Sequence, residues 1–208
     1  MEKIIIILIL IVLLVYLKVN EKFVNPCKDF LSDTEFLEHM IPHHQVAIDM
    51  SVLLQPISKS PIMQELFRKI IWQQNYEIEV MNSMINKLPD KISYGKMRNY
   101  YQKSKLSFYF PKKTQSVDGE CDPLFFKPND HMEHMKHMKI NDKSYLEHMI
   151  PHHQVAVDMC KRLLIHTKNN FLISLCYDII REQELEILKM NELLENVEVW
   201  NYQSNLLY

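Results

Sequence analysis

Apolar and polar positions follow a helical period along this chain, and the pattern occurs twice. From Phe36 the inward positions step by four and three through Met40, His43, Ala47, Met50 and Leu54, one stripe of an amphipathic helix. Ser32-Asp33-Thr34-Glu35, just ahead, has the S-x-x-E form of a capping box. Pro56 and Pro61 bracket a turn. A second stripe then runs through Leu66, Ile70, Gln74, Glu77 or Ile78, Met81 and Ile85, until Pro89 stops it. The later half matches, with Asp142 near a helix start, a stripe from Tyr145 to Leu163, a turn at Thr167 to Asn170, and a last helix from Leu175 to Leu194. Each half is predicted to be an αα-hairpin. Two hairpins can bury their stripes against each other, so the expected fold is all-α, a four-helix bundle.

The two halves are near copies. Leu37 to Met50 reads LEHMIPHHQVAIDM and Leu146 to Met159 reads LEHMIPHHQVAVDM. In the same register Ile70, Gln74, Glu77 and Met81 recur as Ile179, Gln183, Glu186 and Met190, while most positions between them differ. Pro42 and Pro151 precede the His pairs. Either the helix proper starts at Pro42, or an interior proline kinks it and aims His43 and His44; the kink is the preferred reading. If the hairpin turn centres near Ser58, His43 lies level with Gln74 and Met40 with Glu77, and Met149, His152, Gln183 and Glu186 form the twin layer.

Ile4 to Leu17 is unbroken and apolar between Lys3 and Lys18. As a helix it reaches about 21 Å, short of a bilayer core. No small-x-small site follows, so an uncleaved signal-anchor is preferred over a cleaved signal or a core helix. Residues 1–23 are thus expected to hold the chain to a membrane, with the bulk outside the cytosol. Hairpins at 32–88 and 140–197 flank a connection at 89–139. Tyr94, Tyr100, Tyr101, Phe108, Tyr109 and Phe110 suggest that this connection is partly ordered. A net charge of −2 gives no basic patch and no case for nucleic acid. Two glycines argue against phosphate-cradling loops. Four cysteines fit an oxidising compartment, with Cys27–Cys121 and Cys160–Cys176 as open pairings.

Histidine and methionine carry the candidate chemistry. His39, His43 and His44 recur as His148, His152 and His153, and Met40 and Met50 as Met149 and Met159. Between the hairpins runs His131, Met132, His134, Met135, His137 and Met138, an HM tract. Imidazole with thioether is a soft-to-borderline donor set that favours copper, Cu(I) above all, and silver. His39 with His43 and Met40 with His44 are i, i+4 neighbours on a helix. The tract either lines one side of a helix or wraps an ion as a flexible strand. Glu77, Met81, Glu186 and Met190 complete the candidate ligands. The plainer alternatives stay open: methionine at helical spacing fills cores, and a buried His–Glu hydrogen bond satisfies both groups without metal.

An aromatic residue, then M-I-P-H-H-Q-x-A-x-D-M, then Q-x-x-E-I-x-x-M, resembles the bacterial family known as domain of unknown function 305. The resemblance covers Phe36 to Met81 and Tyr145 to Met190, read as two tandem copies. It implies a ferritin-like, four-helical, exported protein, with copper bound in some members. Its motif falls here on His43, His44, Met50, Gln74, Glu77, Met81 and their counterparts. The expected function is non-enzymatic copper sequestration or buffering by a membrane-anchored protein. The alternatives are a metal-free structural ectodomain and a ferritin-like di-metal oxidase. The oxidase usually needs Glu-x-x-His on facing helices, whereas Val80 and Lys189 stand three residues past Glu77 and Glu186.

Overall fold

The computed structural model describes residues 25–27, 30–88 and 121–196. The expected anchor at Ile4 to Leu17 and the aromatic part of the connection lie outside the described residues. Among the described residues the chain is all-helical, and no helix is long and apolar enough to cross a membrane. The elements are α1 (Asp33–Leu54), α2 (Pro61–Ile85), a 3-10 turn (Pro123–Phe126), α3 (Pro128–Met135), α4 (Asp142–Leu164) and α5 (Asn170–Glu195).

Helix starts follow local chemistry. The Ser32 hydroxyl accepts the Glu35 N–H at 3.2 Å, and the Glu35 carboxylate accepts the Ser32 N–H at 2.8 Å, closing the expected box. On α4 the same reciprocal cap is made by Asn141 and Ser144, one residue ahead of Asp142. Ser60 caps α2 with Pro61 at its first position, where a missing N–H costs nothing. Pro42 and Pro151 both lie inside continuous helices, so α1 does not begin at Pro42.

The packing pairs each hairpin with the other. One apolar cluster joins Phe36, Leu37, Met40 and Met81 of the first hairpin to Val155, Met159, Cys160, Leu163 and Cys176 of the second. The other joins Met50, Leu54, Phe67 and Ile70 to Tyr145, Leu146, Met149 and Met190. The start of α1 therefore meets the end of α4, and the end of α1 meets the start of α4. The two helices cross antiparallel, and their HH pairs fall at the crossing.

The two ends of this core differ chemically. At one, the Tyr145 and Ser51 hydroxyls bond at 2.8 Å, Ser51 donates to the Ala47 carbonyl at 2.7 Å, and Phe67 meets the Tyr145 ring edge-on. The counterpart positions at the other end are Phe36, Cys160 and Cys176. Replacing Tyr145 with Phe, the residue its counterpart uses, is expected to cost about 1 kcal/mol in urea unfolding. An unchanged or raised midpoint would contradict a structural role for this hydroxyl pair.

Cys27 and Cys121 form a disulfide, whereas Cys160 and Cys176 are free and buried. The Arg162 guanidinium donates to the Pro26 carbonyl at 2.6 Å, and His166 Nε2 donates to the Leu31 carbonyl at 2.7 Å. The strand of chain entering α1 is thereby tied to the second hairpin.

Candidate metal centre

Successive residues of an α-helix point about 100° apart, so an HH pair addresses two neighbours at once. His44 turns to its own hairpin, where its Nε2 donates to the Glu77 carboxylate at 2.7 Å. His153 does the same to Glu186 at 2.9 Å. His43 and His152 turn instead to the opposite hairpin and stack on each other, with centroids 3.7 Å apart and planes inclined by 29°. A residue meets its own counterpart only where two like halves cross, so this stack marks the centre of the repeat. The level pairing expected from the hairpin turn is corrected here: the imidazole bonded to Glu77 is His44, and His43 faces across the molecule. The hairpin register centres about two residues later than Ser58, near Ser60, and that brings His44 level with Glu77.

All four of these histidines are buried, as are Glu77 and Glu186. Both ring nitrogens of His43 and of His152 lack a hydrogen-bond partner, and so do the side-chain amides of buried Gln74 and Gln183. Each unsatisfied buried group costs about 1–3 kcal/mol. Burial, and after it the neighbouring imidazoles, hold His43 and His152 well below the usual imidazole value. They are therefore neutral, in the form that offers a lone pair to a cation.

The connection closes over this stack. Phe125 meets the rings of His152 at 4.9 Å and His148 at 5.0 Å, and Phe126 meets His43 at 5.3 Å and His39 at 5.9 Å. From α3, His131 brings its Nε2 to 3.1 Å from the Nε2 of His148. Burial, then the nearby His131 ring, lowers His148 to about 4. His131 is lowered too, chiefly by burial. The HM tract is thus divided. His131 and Met135 are buried, Met132 is half-buried, and His134, His137 and Met138 are exposed. Steps of three leave each histidine about 60° round from the last, and α3 ends at Met135, so the three cannot share one face.

The remaining sequence candidates are all buried methionines. Met40 and Met149 lie one turn before His44 and His153. Met50, Met81, Met159 and Met190 sit inside the two apolar clusters. Among the described residues, no three His, Cys, Asp or Glu side chains converge into a ready coordination sphere. The donors come as pairs, with thioethers nearby. Two features escaped sequence reading. Phe125 and Phe126 cover the histidines, and prolines at 123 and 128 bracketing two aromatics were the available signal. Lys69 of α2 reaches Glu182 at 3.1 Å and Glu186 at 3.3 Å; among the described residues no lysine or arginine pairs with Glu77, which takes the neutral Gln73 amide at 2.9 Å. Burial alone would raise Glu186, but the bond from His153 and the charge of Lys69 bring it below its ordinary value.

Fold and site together define a helical protein with a buried interior of paired imidazoles and thioethers. The chain belongs to the family described as Domain of unknown function (DUF305), whose model matches residues 33–194 in one stretch across both hairpins. Among curated proteins it resembles an uncharacterised protein of Acanthamoeba polyphaga mimivirus, 42% identical over 62 residues, 30% of this chain. The match spans 41% of that relative's length. Among solved structures it resembles CopM in its Ag-bound form obtained by soaking, with 26% identity and a TM-score of 0.56. The likeness covers 80% of this chain and 97% of that one. CopM in its Cu(II)-bound form is 26% identical with a TM-score of 0.55, over the same shares of the two chains. The Cu(I)-bound form is 27% identical with a TM-score of 0.55, again over 80% and 97%.

Proposed function

We propose that this chain binds copper, taking up ions through its His/Met tract and holding them between the two HMIPHH helices. The observation that carries this reading is the His43–His152 stack, two buried imidazoles from opposite hairpins whose four ring nitrogens make no side-chain hydrogen bond. Paired imidazoles beside buried thioethers suit a soft ion that accepts few donors, which favours Cu(I) and Ag(I) over zinc. CopM, whose fold is alike, has been seen with Ag, Cu(I) and Cu(II). Exposed His134, His137 and Met138 capture the ion, the His131–His148 pair receives it, and His152 and His43 hold it inside. The role is sequestration or buffering, without catalysis.

In the finer reading, the hairpins are two copies of one unit closing as a ferritin-like four-helix bundle, and residues 1–23 anchor it to a membrane with the bulk outside the cytosol. The Cys27–Cys121 disulfide supports such an oxidising location. A metal-free structural role is the second reading, favoured by the His44–Glu77 and His153–Glu186 bonds, which form without an ion.

Competitive titration of the full chain in detergent with Cu(I) and with Ag(I) tests this. Replacing His43 and His152 with Ala is expected to weaken the tightest site by about 100-fold or more. The reading fails if the wild-type chain gives no binding heat and melts identically with and without either ion.

A further inference from the structure

Cys160 and Cys176 are reactive side chains of the interior that the histidine centre does not use. Both are fully shielded from solvent and belong to the cluster that holds Phe36 and Met159. Cys160 stands on α4 and Cys176 on α5, and the two thiols interact across the second hairpin. The first hairpin has Ser51 and Phe67 at these positions, so the pair occurs in one half alone. Cys160 lies two turns beyond His153 on the same face of α4, about 10.5 Å along the helix axis. The Glu77 carboxylate, bonded to His44, is close enough to act on Cys160 as well. An apolar surrounding disfavours a thiolate, and therefore nucleophilic or metal–thiolate chemistry. A disulfide is neutral and carries no such penalty.

We propose that Cys160 and Cys176 form a buried two-electron store that reduces Cu(II) held by the histidine centre to Cu(I). This rests on the copper reading above. Two Cu(II) ions each accept one electron, two S–H bonds break, one S–S bond forms across the hairpin, and two protons leave to water. Cu(II) is the only oxidant required. Its product is the ion that imidazole and thioether donors hold best. The reaction is stoichiometric and stops until an external thiol reductant reopens the pair.

The test adds Cu(II) without oxygen to the full, metal-free chain, with Cys27–Cys121 bonded and Cys160 and Cys176 as free thiols. Cu(I) is trapped with bicinchoninate, and cysteines are mapped by alkylation and peptide mass. The expected yield is about two Cu(I) per chain, with Cys160 and Cys176 joined, and less than about a tenth of that from Cys160→Ser with Cys176→Ser. A fold-independent check uses the wild type alone: stripped of copper and challenged again it yields none, and after thiol reduction, which also opens Cys27–Cys121, it yields again with Cys160 and Cys176 rejoined on the peptide map. Alkylatable Cys160 and Cys176 after Cu(II), or an unchanged yield from the double variant, overturns the store. If Ag(I), which takes no electron here, still binds, only this inference has failed. If neither Ag(I) nor Cu(I) binds, the copper reading has failed with it.

Discussion

Lowering the pH of the metal-free chain from 7 to 4 is expected to unfold it. In the unfolded chain each histidine takes its proton near pH 6.5. In the folded chain burial holds His148 down to about 4, with the His131 ring acting in the same direction. Between those two values the unfolded state binds one more proton, so stability falls as pH falls. For His148 alone the full loss is about 3 kcal/mol. His43, His152 and His131 are shifted in the same direction and add to it. Glu186, held below its ordinary value, withdraws further stability lower on the scale. Asp142, raised by burial, acts in the opposite sense. Since a domain's whole stability is about 5–15 kcal/mol, these shifts are a large share of it. Thermal melts followed by circular dichroism between pH 7 and 4 should show a steep fall in Tm. A flat Tm over that range would mean that the histidines are not neutral and buried as described.

Removing Glu77 is expected to be the most damaging single substitution in the site. Glu77→Ala leaves His44, fully buried, with no acceptor for its Nε2, and also releases the Gln73 amide. Breaking a buried pair on one side costs about 3–5 kcal/mol. For a chain of this size that is a Tm lower by about 6–20 °C. Glu77→Gln keeps an acceptor and should lose less. Replacing both partners, His44→Leu with Glu77→Leu, should recover much of the loss, because no polar group is then stranded. Urea denaturation of the three variants measures this directly. A loss under about 1 kcal/mol for Glu77→Ala would show that water reaches the pair.

The helices were legible in the sequence because their signals are local. The stripe from Phe36 to Leu54 is buried at every named position, and the Ser32–Glu35 box closes as its spacing predicts. On α2 the choice left open between Glu77 and Ile78 falls to Glu77, with Ile78 only partly buried. The candidate site was legible by residue type but not by partner. That His44, rather than His43, meets Glu77 depends on where the hairpin turn closes, near Ser60 rather than Ser58. That His43 meets His152 depends on how separate hairpins cross, and periodicity carries neither. The HM tract misled for a related reason: its repeat is regular in sequence, but α3 is too short, and a step of three too oblique, to keep His131, His134 and His137 together. Phe125 and Phe126 cover the stack from a connection whose period predicts nothing.

The bridge between Cys27 and Cys121 turns everything between them into a closed ring. A protease that cuts once anywhere along that ring linearises it without dividing the molecule. The nicked protein keeps its mass on a gel run without reductant and separates into two pieces with it. For any cut inside that ring, losing the first hairpin therefore takes two separate insults, one to the backbone and one to the sulfur–sulfur link.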